Sequence, residues 1–240
     1  DWASGASGNG FGTASGLSLL SKTGGTWKNY TTVSGLCNPK ITCLALSDNQ
    51  VWIGTEDGLC MLDKNTQSFT AFGTDEGLPG KFVQALAASG QYVIIGTRKS
   101  YISVYDKRVK KIKQYKPSEE IYRNDALAVQ GRRIWSGTHG GGIRMFDVYE
   151  QTWRTFTSTD GLGGDFLSAI VTDGDTIWSG TFEGITAYNP QTNKWKAYTS
   201  ADGLIEASVT SIAVDGNYLW IGTDNGVTAL KKGTPEVEIT

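Results

Sequence analysis

Histidine and cysteine are the scarce chemistry-bearing residues of this chain. One histidine, His139, in 240 residues excludes a metal centre built on clustered imidazoles. Three cysteines (Cys37, Cys43 and Cys60) are an odd number and predict no complete disulfide framework. Cys43 and Cys60 read as small buried residues on separate strands, and Cys37 as an exposed thiol in a linking loop. No apolar run approaches the roughly 18 residues that a spanning helix needs, and the first residues do not read as a secretory signal segment. Neither sign of charge dominates: 22 Lys+Arg against 24 Asp+Glu give a formal charge of −2, which excludes a surface given over to nucleic acid. No phosphate-cradling glycine loop, Ser-His-Asp set or metal-spaced cluster appears, so no cofactor and no catalytic residue is implied. Proline is also sparse, with five residues, whereas glycine is abundant at 31 and is joined by eight tryptophans and ten tyrosines. Glycines and aromatics with few prolines point to many short strands and tight turns.

The dipeptide Gly-Thr recurs at Gly12, Gly54, Gly96, Gly137, Gly180 and Gly222, at steps of 42, 42, 41, 43 and 42 residues. Two residues before it stand Trp52, Ile94, Trp135, Trp178 and Trp220, with Gly10 in the first copy. Eight residues earlier lie Trp2, Leu44, Leu86, Leu127, Ile170 and Ile212. Within a copy the periodicity is that of strands. In the sixth, Ser208–Val214 alternates, Asp215-Gly216 is a hairpin signal, and Tyr218–Thr223, Val227–Leu230 and Val237–Ile239 follow as further strands. No ten-residue stretch carries helical periodicity.

Four antiparallel strands every 42 residues or so predict an all-β fold, a six-bladed β-propeller in one domain over residues 1–240. The predicted blades cover about 1–33, 34–75, 76–117, 118–159, 160–201 and 202–240. Stacking covers both apolar faces of each sheet, which a lone four-stranded sheet would leave wet. The tryptophan column then fills the wedge between blades rather than forming a carbohydrate platform. Two alignments of the first copy stay open. One places Asp1–Ser4 at the start of a first strand; the other puts Trp2 in the tryptophan column, with Gly5–Phe11 as an insertion.

The segment VTSIAVDGNYLWIGTDNGVTAL, with its echoes VWIGTEDGL, IWSGTHGGGI and IWSGTFEGI and the Gly-Leu links at Gly35, Gly77, Gly161 and Gly203, resembles the two-component-regulator propeller repeat. The resemblance covers nearly the whole chain. It implies an extracytoplasmic, ligand-sensing propeller of bacterial signalling proteins, a periplasmic or secreted location and membership of a larger signalling protein. That family is often seven-bladed, whereas six copies are present here. Streptogramin lyases are more distantly similar, but their His- and Glu-based magnesium site is not reproduced by a chain with one histidine.

Variation between copies concentrates on one face, called upper here, formed by the Gly-Leu links and the turns after Gly-Thr. Rigid scaffolds usually carry their binding groups on such loops. The candidate ligand-binding residues are Lys40, Lys81, Gln84, Arg123, Asp125, Asp165, His139, Phe182 and Glu183. Lys81, Arg123, Asp125 and Asp165 have mixed signs, which suits a zwitterionic or sugar ligand, or pairing among themselves. His139 is either an acid/base group or a turn residue beside glycines, and no orienting partner is close in sequence. The basic segment Lys107–Lys113 is either a docking patch for an anionic partner or an edge strand kept soluble by lysines. The expected function is non-catalytic binding of a polar small molecule, saccharide or protein segment at the upper mouth of the propeller channel. The alternative is a lyase or glycan-active enzyme at the same mouth.

Overall fold

A computed structural model describes residues 2–5, 8–21, 24–47, 49–99, 101–117 and 123–232. The chain is all-β, a β-propeller of six antiparallel blades. The first blade runs β1 (Trp2–Gly5), β2 (Gly8–Gly12), β3 (Leu17–Ser21), β4 (Trp27–Tyr30); the second, β5 (Ile41–Ser47), β6 (Gln50–Thr55), β7 (Gly58–Asp63), β8 (Phe69–Phe72). The third holds β9 (Val83–Ser89), β10 (Tyr92–Thr97), β11 (Ile102–Asp106), β12 (Lys111–Tyr115), and the fourth β13 (Asn124–Gln130), β14 (Arg133–Thr138), β15 (Ile143–Asp147), β16 (Thr152–Phe156). The fifth holds β17 (Leu167–Asp173), β18 (Thr176–Thr181), β19 (Gly184–Asn189), β20 (Lys194–Tyr198), and the sixth β21 (Val209–Asp215), β22 (Tyr218–Thr223), β23 (Gly226–Lys231). Each sheet is a simple meander. The fourth strand expected at Val237–Ile239, and with it the closure between 1–12 and 233–240, lies outside the described residues. Ala3 pairs with Gly10 and Trp2 with Phe11, so the first blade follows the alignment without an insertion.

The residues divide into two compact units, Asp1–Arg123 and Asn124–Thr240, of three blades each. In the first unit one apolar cluster joins blades one and two around Leu17, Tyr30, Val51 and Leu62, and a second joins blades two and three around Trp52, Val83 and Tyr105. In the second unit Trp135, Phe156 and Tyr188 join blades four and five, and Trp178, Tyr198 and Leu230 join blades five and six. Trp52, Trp135 and Trp178 are buried, as expected of an interblade column, whereas Trp220 on the last described blade is 40% exposed. No described blade follows Trp220 in its own unit.

The recurring Gly-Thr has a separate reason for each residue. The glycine sits where the next blade's first strand presses in: a Cβ on Gly54 would lie 2.8 Å from Val83 Cγ1, and one on Gly180 would lie 2.5 Å from Val209 Cγ1. Val209 carries this contact close to its own backbone and has little room to recede. Gly180→Ala is therefore expected to cost about 1–3 kcal/mol by overpacking, read as a lower denaturant midpoint. The threonine ties the turn that follows. Thr55, Thr138 and Thr181 donate through Oγ1 to the carbonyls of Gly58, Gly142 and Gly184 at 2.8, 2.8 and 3.2 Å. They also accept from the backbone amides of Asp57, Gly141 and Glu183. The turn glycine is required in turn: Gly142 has φ +70°, and a Cβ there would stand 2.1 Å from the Phe156 carbonyl oxygen.

The cysteine expectation is corrected. Cys37 and Cys60 form a disulfide with a Cα–Cα distance of 5.9 Å, and Cys43 is free and buried. The link that ends blade one folds down onto β7 and carries Cys37 to the buried Cys60, a proximity that strand assignment alone does not reveal. Burial pushes the Cys43 thiol up to about 12, leaving it unreactive.

The basic segment is an edge. Lys111–Tyr115 is the outermost strand of its sheet, consistent with lysines that discourage edge pairing. Lys107 folds back to donate to Ser47 Oγ and the Gly90 carbonyl.

Candidate functional site

The first strands of blades two to six each carry a β-bulge on the upper side, where one residue is skipped in the pairing with the second strand: Thr42, Gln84, Asp125, Ser168 and Thr210 occupy this place. Bulges re-aim a side chain. Thr42 Oγ1 and Ser168 Oγ donate to the Val83 and Val209 carbonyls of the next blade. A carboxylate has no proton to donate in this way. Asp125, 12% exposed, instead meets His139 Nδ1 at 3.0 Å, which places a hydrogen on that nitrogen. The sequence offered no orienting partner for His139 because the two are 14 residues apart; the bulge and the Thr138-tied turn bring them together.

A second positional rule governs the same face. In blades two, three and five the residue just before the first strand meets the residue just after Gly-Thr in its own blade, and the chemistry of this pair changes from blade to blade. In blade two it is an ion pair, Lys40 to Glu56 at 3.0 Å. In blade three the Arg98 guanidinium lies 3.8 Å from the Phe82 ring centroid. In blade five it is a ring pair, Phe166 and Phe182, with centroids 6.3 Å apart and an interplanar angle of 20°. Both rings are exposed, at 48% and 55%. The His139 ring meets Phe166 edge-on at 5.3 Å. A β-bridge between His139 and Phe166 and donation from the Gly140 and Gly142 amides to the Asp165 carbonyl, at 3.1 and 3.0 Å, fix the two loops together.

The second unit thus presents a row of three rings, His139, Phe166 and Phe182, flanked by the carboxylates of Asp125 and Glu183. Glu183 lies over Gly164, where a Cβ would stand 3.3 Å from its Cδ. Such a patch offers apolar ring faces together with hydrogen-bond acceptors. The remaining candidates are engaged locally. Lys81 pairs with Asp57 at 2.9 Å, with both side chains more than half exposed, a type of pair that contributes little to stability. The Asp165 carboxylate accepts from Ser158 N and Oγ at 2.7 and 3.1 Å and so caps its own link. Gln84 occupies its bulge, and Arg123 is exposed just before β13. Among the described residues no group of three or more His, Cys, Asp or Glu is arranged to hold a metal. Among the same residues no helix is long and apolar enough to cross a membrane. Phe166 was missed in the sequence; its signal is its place immediately before β17, equivalent to Lys40 and Phe82.

No protein-family model matches the sequence. No curated protein matches it either. Solved structures do. The extracellular domain of BT3049 from B. thetaiotaomicron, described as a hybrid two-component system, has a TM-score of 0.77 at 20% identity over 99% of this chain and 34% of its own. That of BT4673 from the same organism, described as a one-component or a hybrid two-component system, gives 0.76 at 17% over 98% of this chain and 33% of its own. The computationally designed Ika8 protein gives 0.71 at 19% over 98% of this chain and 71% of its own. This chain therefore spans about a third of the length of the two extracellular domains. What it shares with all three is the β-propeller fold.

Proposed function

We propose that this chain is a non-catalytic, ligand-binding propeller of the extracytoplasmic sensor type, part of a larger signalling protein, and that it takes a saccharide on the upper turns of its fourth and fifth blades. The observation that carries the reading is the exposed Phe166–Phe182 pair beside Asp125, His139 and Glu183. Sugar rings present apolar C–H faces to aromatic rings and hydroxyls to carboxylates, and this row supplies both. The Cys37–Cys60 bridge fits an oxidising compartment, and the fold likeness to extracellular domains points the same way.

The test is calorimetric titration with a panel of neutral and acidic oligosaccharides, repeated on Phe166→Ala and Phe182→Ala. At least one saccharide is expected to bind the parent, and each variant to weaken it by about tenfold or more, the scale of one lost aromatic contact. Equal affinity in parent and variants would move the site elsewhere. The Asp125–His139 pair is the one feature that favours an enzyme. Loss of the bound saccharide to a shorter product on overnight incubation, abolished in His139→Gln, would establish that second reading.

A further inference from the structure

The fourth strand of a blade carries a ring opposite its third strand. Trp27, Phe69, Trp153 and Trp195 pair in this way with Leu20, Leu62, Phe146 and Tyr188. Blade three is different: Ile112 stands opposite Tyr105. Blade five shows what the ring does there. Trp195 stacks on Tyr188 with centroids 4.0 Å apart and meets Phe156 at 5.6 Å. Gly161 covers it, and a Cβ on that glycine would stand 2.9 Å from Trp195 Cγ. Blade three keeps these surroundings. Tyr105 lies 5.2 Å from Phe72, as Tyr188 lies 5.0 Å from Phe156, and Gly77 lies over Ile112. Beside Ile112 there is a cavity of about 320 Å³, bounded by Phe72, Tyr105 and Gly77, the counterparts of the residues that enclose the indole in blade five.

A second exchange accompanies the first. Tyr188 Oη donates to Asn193 Oδ1 at 3.1 Å, and Asn193 ends the turn before β20 with φ +53°. The same turn position in blade three, with φ +54°, is Lys110. An ammonium group accepts no hydrogen bond, so Tyr105 loses that acceptor and a cation lines the cavity in its place. Lys111 adds a second cation, and Asp75 and Glu76 line the cavity from the link that precedes blade three. Glu76 is engaged within that link, where its Oε2 accepts from Gly73 N at 2.6 Å. Asp75 is exposed and replaces the Thr159 of the equivalent link. Among the described residues no ion pair joins the acidic side to the basic one.

We infer that this cavity binds a free aromatic amino acid. Its ring takes the place that an indole fills in blade five. Its carboxylate lies against Lys110 and Lys111 and accepts from the Tyr105 hydroxyl, and its ammonium faces Asp75. The size fits: an apolar cavity of about 150 Å³ accommodates one benzene ring, so one about twice as large takes an indole with a short tail. A ligand with both charges answers both sides of the rim, which one with a single charge cannot do. The cavity lies within the first unit and uses none of the residues proposed to bind saccharide, so either reading can fail alone.

L-tryptophan, tryptamine and indole-3-propionate are the probes, read by calorimetry and by the methyl resonances of Ile112. L-tryptophan is expected to shift those methyls and to bind about tenfold more tightly than either of the others, each of which lacks one charge. Ile112→Trp, which restores the ring, is expected to abolish binding. Lys110→Asn, which returns an acceptor to Tyr105, is expected to weaken L-tryptophan about fivefold and to leave tryptamine unchanged. That variant keeps the inference open to refutation if Ile112→Trp does not fold. Absence of methyl shifts at about 1 mM L-tryptophan, undiminished binding in a folded Ile112→Trp, unchanged affinity in Lys110→Asn, or equal affinity for the three probes in the parent would overturn the inference.

Discussion

Trp135→Ala is expected to lower the unfolding free energy by about 3–5 kcal/mol, the range for truncating a fully buried large aromatic. In a protein of this size each kcal/mol moves the melting temperature by about 2–4 °C, so a fall of roughly 10 °C is expected. The indole has no exposed surface and touches rings on both sides of the wedge, Phe156 in its own blade and Tyr188 in the next. The cavity left behind would lie between two sheets whose backbones are fixed by their own ladders, so little collapse can refill it. Trp135→Phe is the informative companion. Trp135 Nε1 is buried without an acceptor among the described residues, and phenylalanine keeps an apolar ring while removing that donor. Its loss is expected to be less than about half that of the alanine variant. Equal losses, or an alanine loss below about 1 kcal/mol, would show that the interblade wedge is not the main store of stability.

Loss of the Cys37–Cys60 bridge is the second large effect. The bridge closes a sequence separation of 23 residues that runs from the end of blade one through the first two strands of blade two. On the chain-entropy argument a loop of that length is worth about 3 kcal/mol. Cys37→Ser and reductant on the parent should therefore give the same fall in melting temperature, and reductant should do nothing further to the variant. Thiol titration in denaturant gives an independent count: one thiol for the bridged chain, three after reduction. Cys43 stays silent in the folded protein because burial raises its pKa from about 9 to about 12. The preference of the fold for the neutral thiol is not felt below about pH 9 and costs stability as the pH climbs from there towards 12, where the unfolded chain ionises first. A three-thiol count without reductant would remove both the bridge and its part in the argument for an oxidising compartment.

The contrast between what could and could not be read from the chain has a physical origin. Gly12, Gly54, Gly137 and Gly180 are visible because each meets the same constraint, the next blade's first strand pressing on a backbone with no side chain. Trp52, Trp135 and Trp178 are visible for the same reason. The disulfide was not, since Cys37 lies in a link whose path is set by tertiary packing and not by strand period. Trp220, on the last described blade of its unit, is 40% exposed and departs from its column. The site was half legible. Asp125, His139, Phe182 and Glu183 were picked out as variable residues on loops, but their assembly with Phe166 depends on a bulge and an isolated bridge. Lys40, Lys81 and Asp165 looked equally eligible in the sequence; the structure gives each a partner close at hand.

The threonine of each Gly-Thr holds its turn through its own hydroxyl, so the turn keeps its shape whatever the next two residues are. Glu56-Asp57, Phe182-Glu183 and Asp224-Asn225 are in effect interchangeable cassettes on a common socket. A lineage built on this scaffold is free to rewrite these loops two letters at a time without renegotiating the sheets beneath.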